Sequence, residues 1–241
     1  HKIFGHVHIA KTSGTTLNGN LSMLFERVCG HKGYSYDSFQ ANQRRSKEYK
    51  DSFGIMHQGY NRLRVHSDIM EEIGYEDCDW ISHEIEWSFW KKFITWRFPL
   101  QLHVPCRDPV DHLMSQCNHA RIKFNCSGNL HAEIQKCIFA TIRFSNELLS
   151  MGNNIEVKCF DWKAGTDGRY VNFMKTRLQE KKMQTGYNFI PTNQKRAFTT
   201  ECVWNNKKVK KNIAEYLINN YDYYAFCNKC THTKDDLFYK H

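Results

Sequence analysis

His8-Ile9-Ala10-Lys11-Thr12-Ser13-Gly14-Thr15-Thr16-Leu17 is the stretch around which the chain is organised. Ahead of it, Ile3 to Ile9 is an apolar run broken by Gly5 and two histidines, which predicts a short buried strand. From Leu17 to about Cys29 the apolar residues Leu17, Leu21, Leu24, Phe25 and Val28 fall at helical spacing. A strand, a tight polar turn and a helix make an anion site. The first amides of a helix lack intrahelical acceptors, the dipole there is positive, and a glycine at position 14 lets the backbone approach a ligand closely. Lys11 and the hydroxyls of Thr12, Ser13, Thr15 and Thr16 add donors.

The order of residues decides which anion chemistry applies. A nucleoside-triphosphate loop places its lysine after the glycines, and here the lysine comes first. No G-x-G-x-x-G is present, so a dinucleotide fingerprint fails as well. A second segment repeats the strand-to-helix logic about 95 residues on. Gln101 to Cys106 reads as a strand, followed by Arg107-Asp108-Pro109-Val110-Asp111-His112-Leu113-Met114-Ser115. Pro109 suits a first helical turn, Asp108 can cap it, and Ser115 lies two turns along. Arg107 can grip a phosphate with two parallel N–H groups while Ser115 donates a hydroxyl to the same anion.

Together the two segments resemble those that bind the nucleotide in sulfotransferases using 3′-phosphoadenosine 5′-phosphosulfate (PAPS). The loop is similar to the K-T-x-G-T-T/S-L form of the carbohydrate, Golgi-type branch. That resemblance implies an α/β fold, a P-loop-like three-layer sandwich with a mostly parallel central sheet and helices on both faces, spanning residues 1–241 as one domain. It implies that Lys11, Thr12, Ser13, Gly14, Thr15 and Thr16 hold the phosphosulfate, and that Arg107 and Ser115 hold the 3′-phosphate. Ile190-Pro191-Thr192-Asn193 resembles a later loop whose basic residues reach that phosphate, which makes Lys195 and Arg196 candidates. Asn219 to Ala225 resembles the family's terminal Asp-plus-aromatic helix. His112 departs from the pattern, since arginine is common there in the carbohydrate branch.

Sulfuryl transfer to an alcohol needs a base, and histidine titrates near neutrality. In the family a short strand ending in histidine precedes the Arg-Asp-Pro segment, and His83 stands in that place, with Glu84 and Glu86 as rivals. In-line attack builds charge on the bridging oxygen, where Lys11 and the loop amides would act. No metal is required. His6 and His8 share a strand face beside the loop and read as hydrogen-bonded structural residues. Trp80, Trp87, Trp90 and Trp96 read as core with some sugar-stacking surface.

The net charge of +9 favours anionic partners, which include the nucleotide donor and an acidic acceptor such as a glycan; the acceptor expected is an anionic or neutral glycan. A small alcohol, a sterol or a tyrosyl peptide is the alternative acceptor. Nucleic acid is disfavoured, because the cations are dispersed apart from Lys207 to Lys211 and no zinc-finger, RNA-recognition or basic-zipper pattern is present. The rival function is a P-loop-type phosphate- or nucleotide-binding protein, or a kinase, without sulfuryl transfer.

Ten cysteines permit disulfides and a luminal compartment. Cys227-x-x-Cys230 lacks a second ligand pair at metal spacing. The expected location is the Golgi lumen, as the excised domain of a type II membrane protein whose N-terminal anchor is missing from this chain, with the soluble cytoplasm as alternative. Of the two sequons, Asn20 falls in the helix after the loop and Asn125 is the better glycan acceptor. Further along, the periodicity predicts helices over Ser67–Tyr75, Leu130–Ser150, Val171–Lys182 and Lys207–Asn220. A strand is expected over Ile155–Phe160, and the polar stretch Gly30–Lys50 reads as a surface excursion.

Overall fold

Apolar runs too short for helices recur along the chain, and in the computed structural model they meet in one sheet. The structure describes residues 2–25, 27–31, 78–83, 87–139, 141–180, 201–230 and 237–239. Strands β1 (Ile3–Val7), β2 (Val28–His31), β3 (Trp80–His83), β4 (Leu100–Cys106) and β5 (Ile155–Asp161) run parallel in the order β2-β3-β1-β4-β5. A short β6 (Phe238–Tyr239) pairs antiparallel with β5. β1 and β4 are buried at every position, as expected for parallel strands covered on both faces.

Strand alternation sorts the side chains into two cores. Ile3, Val7, Ile81, Leu100, Leu102 and Val104 face one of them, which is completed by helices α2 (Pro109–Ala120), α3 (Leu130–Cys137), α6 (Lys207–Asn220) and α7 (Asp222–Lys229). Phe4, Trp80 and Phe160 face the other, with Leu17 and Leu21 of α1 (Gly14–Leu24) and Tyr170 and Met174 of α4 (Arg169–Met174). Helix, sheet and helix give the three layers. α5 (Glu201–Trp204) leads into α6. Trp90 packs onto the sheet at Gly5, where a Cβ would lie 2.8 Å from its ring and 2.4 Å from Leu102. Only glycine leaves room for that approach.

Three helices end sooner than their periodicity predicts. α1 stops at Leu24, and Val28 and Cys29 belong to β2, because Phe25 is extended and Arg27 turns the chain at φ 51°. The helix expected over Leu130–Ser150 is α3 followed by two 3-10 turns, Thr141–Arg143 and Asn146–Ser150. It breaks at Ile138, which is extended just after Cys137 is bound to Cys117, while Gln116 takes the Phe139 amide at 3.0 Å. α4 ends at Met174, and the Arg177 guanidinium donates to the Phe173 carbonyl at 2.7 Å. α6 has the predicted bounds, and α2 is capped as predicted, by Asp108 on the Asp111 amide at 2.9 Å. The helix expected over Ser67–Tyr75, and the Gly30–Lys50 excursion beyond its first two residues, lie outside the described residues.

Four disulfides join described cysteines: Cys106–Cys227, Cys117–Cys137, Cys126–Cys202 and Cys159–Cys230. The C-x-x-C of α7 is therefore spent on tying that helix to β4 and β5. Such bonds fit a secreted or luminal protein. No described helix is long and apolar enough to cross a membrane.

A chain of buried polar groups runs through the α1–α4 side. Trp80 Nε1 donates to the Tyr170 hydroxyl at 3.2 Å, which meets His103 Nδ1 at 2.5 Å. His103 Nε2 meets Gln101 Oε1 at 3.0 Å, and Gln101 Nε2 donates to Glu156 at 2.5 Å. A carboxylate only accepts, so Gln101 must present its oxygen to His103. His103 is thereby the Nε2–H tautomer, and Tyr170 donates to its Nδ1. Burial holds His103 down to about 3, so it is neutral. Burial pulls the Glu156 carboxyl upward, but hydrogen bonds from Lys158, Gln101 and Lys2 outweigh it and bring it to about 2.

Candidate functional site

The strand order fixes where a ligand can sit. β1 and β4 are neighbours, yet β1 leads into α1 on one face and β4 leads into α2 on the other. Chains leaving in opposite directions open a crevice beyond the strands' carboxyl ends, the usual ligand position in open α/β sheets. Both sequence segments fall there.

The β1–α1 loop is tightly wound. Thr12 Oγ1 donates to the Ile9 carbonyl at 2.6 Å, and Lys11 and Ser13 take φ of 66° and 71°. Two non-glycine residues in the left-handed region cost on the order of 1 kcal/mol or more each, a strain that surrounding contacts must hold. Thr12 thus shapes the loop, with its hydroxyl proton committed to Ile9. Gly14 opens α1 directly against the His8 ring: a Cβ there would lie 1.9 Å from His8 Cδ2. Thr16 is buried in the first turn, and of Thr15 only the backbone is described. Ser13 Oγ is buried without a hydrogen-bond partner among the described residues.

The β4–α2 segment holds that loop by two successive carbonyls. Arg107 Nη1 donates to the Lys11 carbonyl at 2.6 Å, and His112 Nε2 donates to the Ala10 carbonyl at 2.8 Å. A carbonyl cannot donate, so His112 carries its proton on Nε2 and accepts at Nδ1 from the Tyr224 hydroxyl at 3.0 Å. Burial pushes His112 down to about 3 and keeps it neutral. Arg107 is also paired by Nε with Asp111 at 2.7 Å and lies 4.0 Å from the Trp162 ring centre. Two of the five guanidinium N–H groups are engaged by Asp111 and the Lys11 carbonyl, which leaves three available for other acceptors. The Tyr223 hydroxyl donates to the Pro105 carbonyl at 2.7 Å, and Cys106 is covalently tied to Cys227, so the strand end carrying Arg107 is fixed from behind.

His83 closes β3 beside the loop. Its carbonyl takes the His8 amide at 3.0 Å, and its ring stacks on Phe89 with centres 3.8 Å apart. The residue is 8% exposed, and its side chain lies on the α2 side of the sheet, with Ile81. His6 and His8 point to the other side, where His6 Nδ1 meets Ser82 Oγ at 3.0 Å. Burial first, and the neighbouring imidazoles of His8 and His103 next, hold His6 well below the ordinary histidine value.

Lys11, Ser13, Gly14 and Arg107 are therefore brought together, with His83 against the same loop. Ser115 is half-buried two turns into α2 and makes no hydrogen bond with Arg107. Glu84, Glu86, Lys195 and Arg196 lie outside the described residues. Sequence reasoning missed the supports: His112, Tyr224 and Trp162. His112 was visible only as a departure from the arginine expected, and nothing local marks Trp162 as a support. Among the described residues no group of three metal-ligating side chains is assembled. Comparison with protein-family models, with curated proteins and with solved structures finds no match to this chain.

Proposed function

We propose that the chain is a sulfotransferase that moves the sulfuryl group of PAPS to an acceptor hydroxyl, most suitably on a glycan, within a P-loop-like fold. The observation that carries this reading is the junction of the two loops. Arg107 is fastened to the Lys11 carbonyl with three N–H groups to spare, at the crevice between β1 and β4. Its donor set fits a nucleotide with anionic groups at two positions: α1 amides, Lys11 and the leftover Ser13 hydroxyl at one, Arg107 at the other.

When bound, PAPS supplies the sulfuryl group and leaves as the 3′,5′-bisphosphate. Lys11 and the first α1 amides stabilise negative charge at the 5′ end. Arg107, with Ser115 further along α2, binds the 3′-phosphate and selects this donor over one lacking it. His83 takes the acceptor proton, with Glu84 or Glu86 as alternative bases. Fixed cations suffice for the loop's role. The disulfides support a luminal location, and within it the Golgi suits a glycan acceptor.

Calorimetric titration with adenosine 3′,5′-bisphosphate, with AMP as comparison and no magnesium, tests the donor site. Tighter binding of the bisphosphate, abolished in Arg107→Ala, is expected. Equal binding of both nucleotides, or of neither, removes the reading. Retained bisphosphate binding with no turnover change in His83→Ala would remove His83 as the base.

A further inference from the structure

The densest run of cations, Lys207 to Lys211, has no part in the crevice. It lies on α6, directly after an exposed tryptophan. Trp204 is 41% exposed, although its neighbour Val203 is fully buried and Cys202, two residues before, is bound to Cys126. The ring is thus carried on an anchored turn. Lys210 Nζ lies 5.4 Å from its centre, and Lys207, Lys208 and Lys211 are exposed on the first turns of α6.

Helix stability does not account for this arrangement. The first turn of α6 holds no acidic residue, so its lysines meet the positive end of the helix dipole and one another. The pair Lys211–Glu215, at 3.7 Å between two exposed side chains, offsets little of that. An external anion relieves the repulsion. A flat exposed indole adds a second requirement, a partner with an apolar face to stack on it.

We propose that Trp204 with Lys207, Lys208, Lys210 and Lys211 forms a surface that holds an acidic polysaccharide. The pyranose C–H face stacks on the indole, and carboxylate or sulfate groups meet the ammonium groups. A compartment that preserves four disulfides favours this polyanion over nucleic acid. The surface is separate from the crevice. α2 runs from the cap beside Arg107 for 12 residues, about 18 Å, and just beyond its end the Phe124 carbonyl contacts Cys202 Sγ at 3.7 Å. Occupancy of this surface does not depend on sulfuryl transfer taking place.

Heparin affinity measured against salt, with duplex DNA and phosphatidylserine vesicles as comparison probes, tests it. The intact chain is expected to bind heparin more tightly than either comparison. Replacing the four lysines by glutamine should lower heparin affinity by at least about tenfold and flatten its salt dependence. Trp204→Ala should lower affinity several-fold while leaving the salt slope unchanged, because stacking releases no counterions. Adenosine bisphosphate binding should be unaltered in both variants, and the lysine variant should melt no lower than the intact chain, since it loses the repulsion in the first turn of α6. These readouts separate this surface from the crevice and from misfolding. Unchanged heparin affinity in the lysine variant overturns the proposal. So does DNA or vesicle binding as tight as heparin, or indifference to Trp204→Ala, since each leaves only a general attraction between charges.

Discussion

On one face of the sheet, α2, α3, α6 and α7 pack through Trp90, Phe93, Tyr223, Tyr224 and Phe226, and four disulfides cross that layer. On the other, α1 and α4 pack through Leu17, Leu21, Phe25 and Tyr170, and a chain of buried hydrogen bonds takes the place of covalent links among the described residues. The difference shows how the crevice is built. The cross-linked layer supplies Arg107 and His112, and these hold the two carbonyls of a loop that belongs to the other layer. A strained turn is kept in shape by the stiffer half of the molecule.

Removing the covalent half of that contrast should have the largest effect. Cys106–Cys227 closes a separation of 121 positions, so replacing both cysteines by serine should cost about 4 kcal/mol in urea unfolding. A loss below about 1 kcal/mol would mean that packing of α7, not its cross-link, holds the Arg107 strand end. On the opposite face, Tyr170→Phe leaves Trp80 Nε1 and His103 Nδ1 without their partner. Its expected cost is about 3 kcal/mol, and a neutral result would show that the polar chain is dispensable.

Acid separates the faces more finely, because His103 lies on one and His112 on the other. Both are held near 3 when folded against about 6.5 when unfolded. Below 6.5 the unfolded chain binds more protons than the folded one, so this stability is present above pH 6.5 and is lost progressively down to about pH 3. By pH 5 each group should cost about 2 kcal/mol. His112→Gln should therefore reduce the fall in stability between pH 7.5 and pH 5 by that amount; an unaltered fall would place His112 in water. The smallest effect belongs to the surface. Glu215→Gln removes a pair between exposed side chains and should change stability by less than about 0.5 kcal/mol.

Much of this architecture was legible in the sequence for a local reason. Gln101 to Cys106 and Ile155 to Phe160 are short apolar runs between breakers, Asp108-Pro109 is helix-start chemistry, and Lys207 to Asn220 keeps one apolar period throughout. The failures share a cause too. Leu130 to Ser150 has helical spacing, but the Cys117–Cys137 bond and the Gln116 contact to Phe139 are long-range events that no window of residues contains. At the candidate site, Lys11 and Arg107 stand out in the sequence by local turn and cap chemistry. His112 and Tyr224 do not, because a buried hydrogen bond over 112 positions leaves no periodic trace.

The sequence by itself determined that two polar strand-to-helix turns exist, that one carries Lys11 and Gly14 and the other Arg107, and that the chain is basic with ten cysteines. Tertiary structure alone decided that β1 and β4 are neighbours whose chains leave to opposite faces, that Thr12 spends its hydroxyl inside the loop, and that His112 is a neutral support for it. Propensity and capping act over a few residues, whereas burial, tautomer and the direction of a donor are set by whichever groups the folded chain brings alongside.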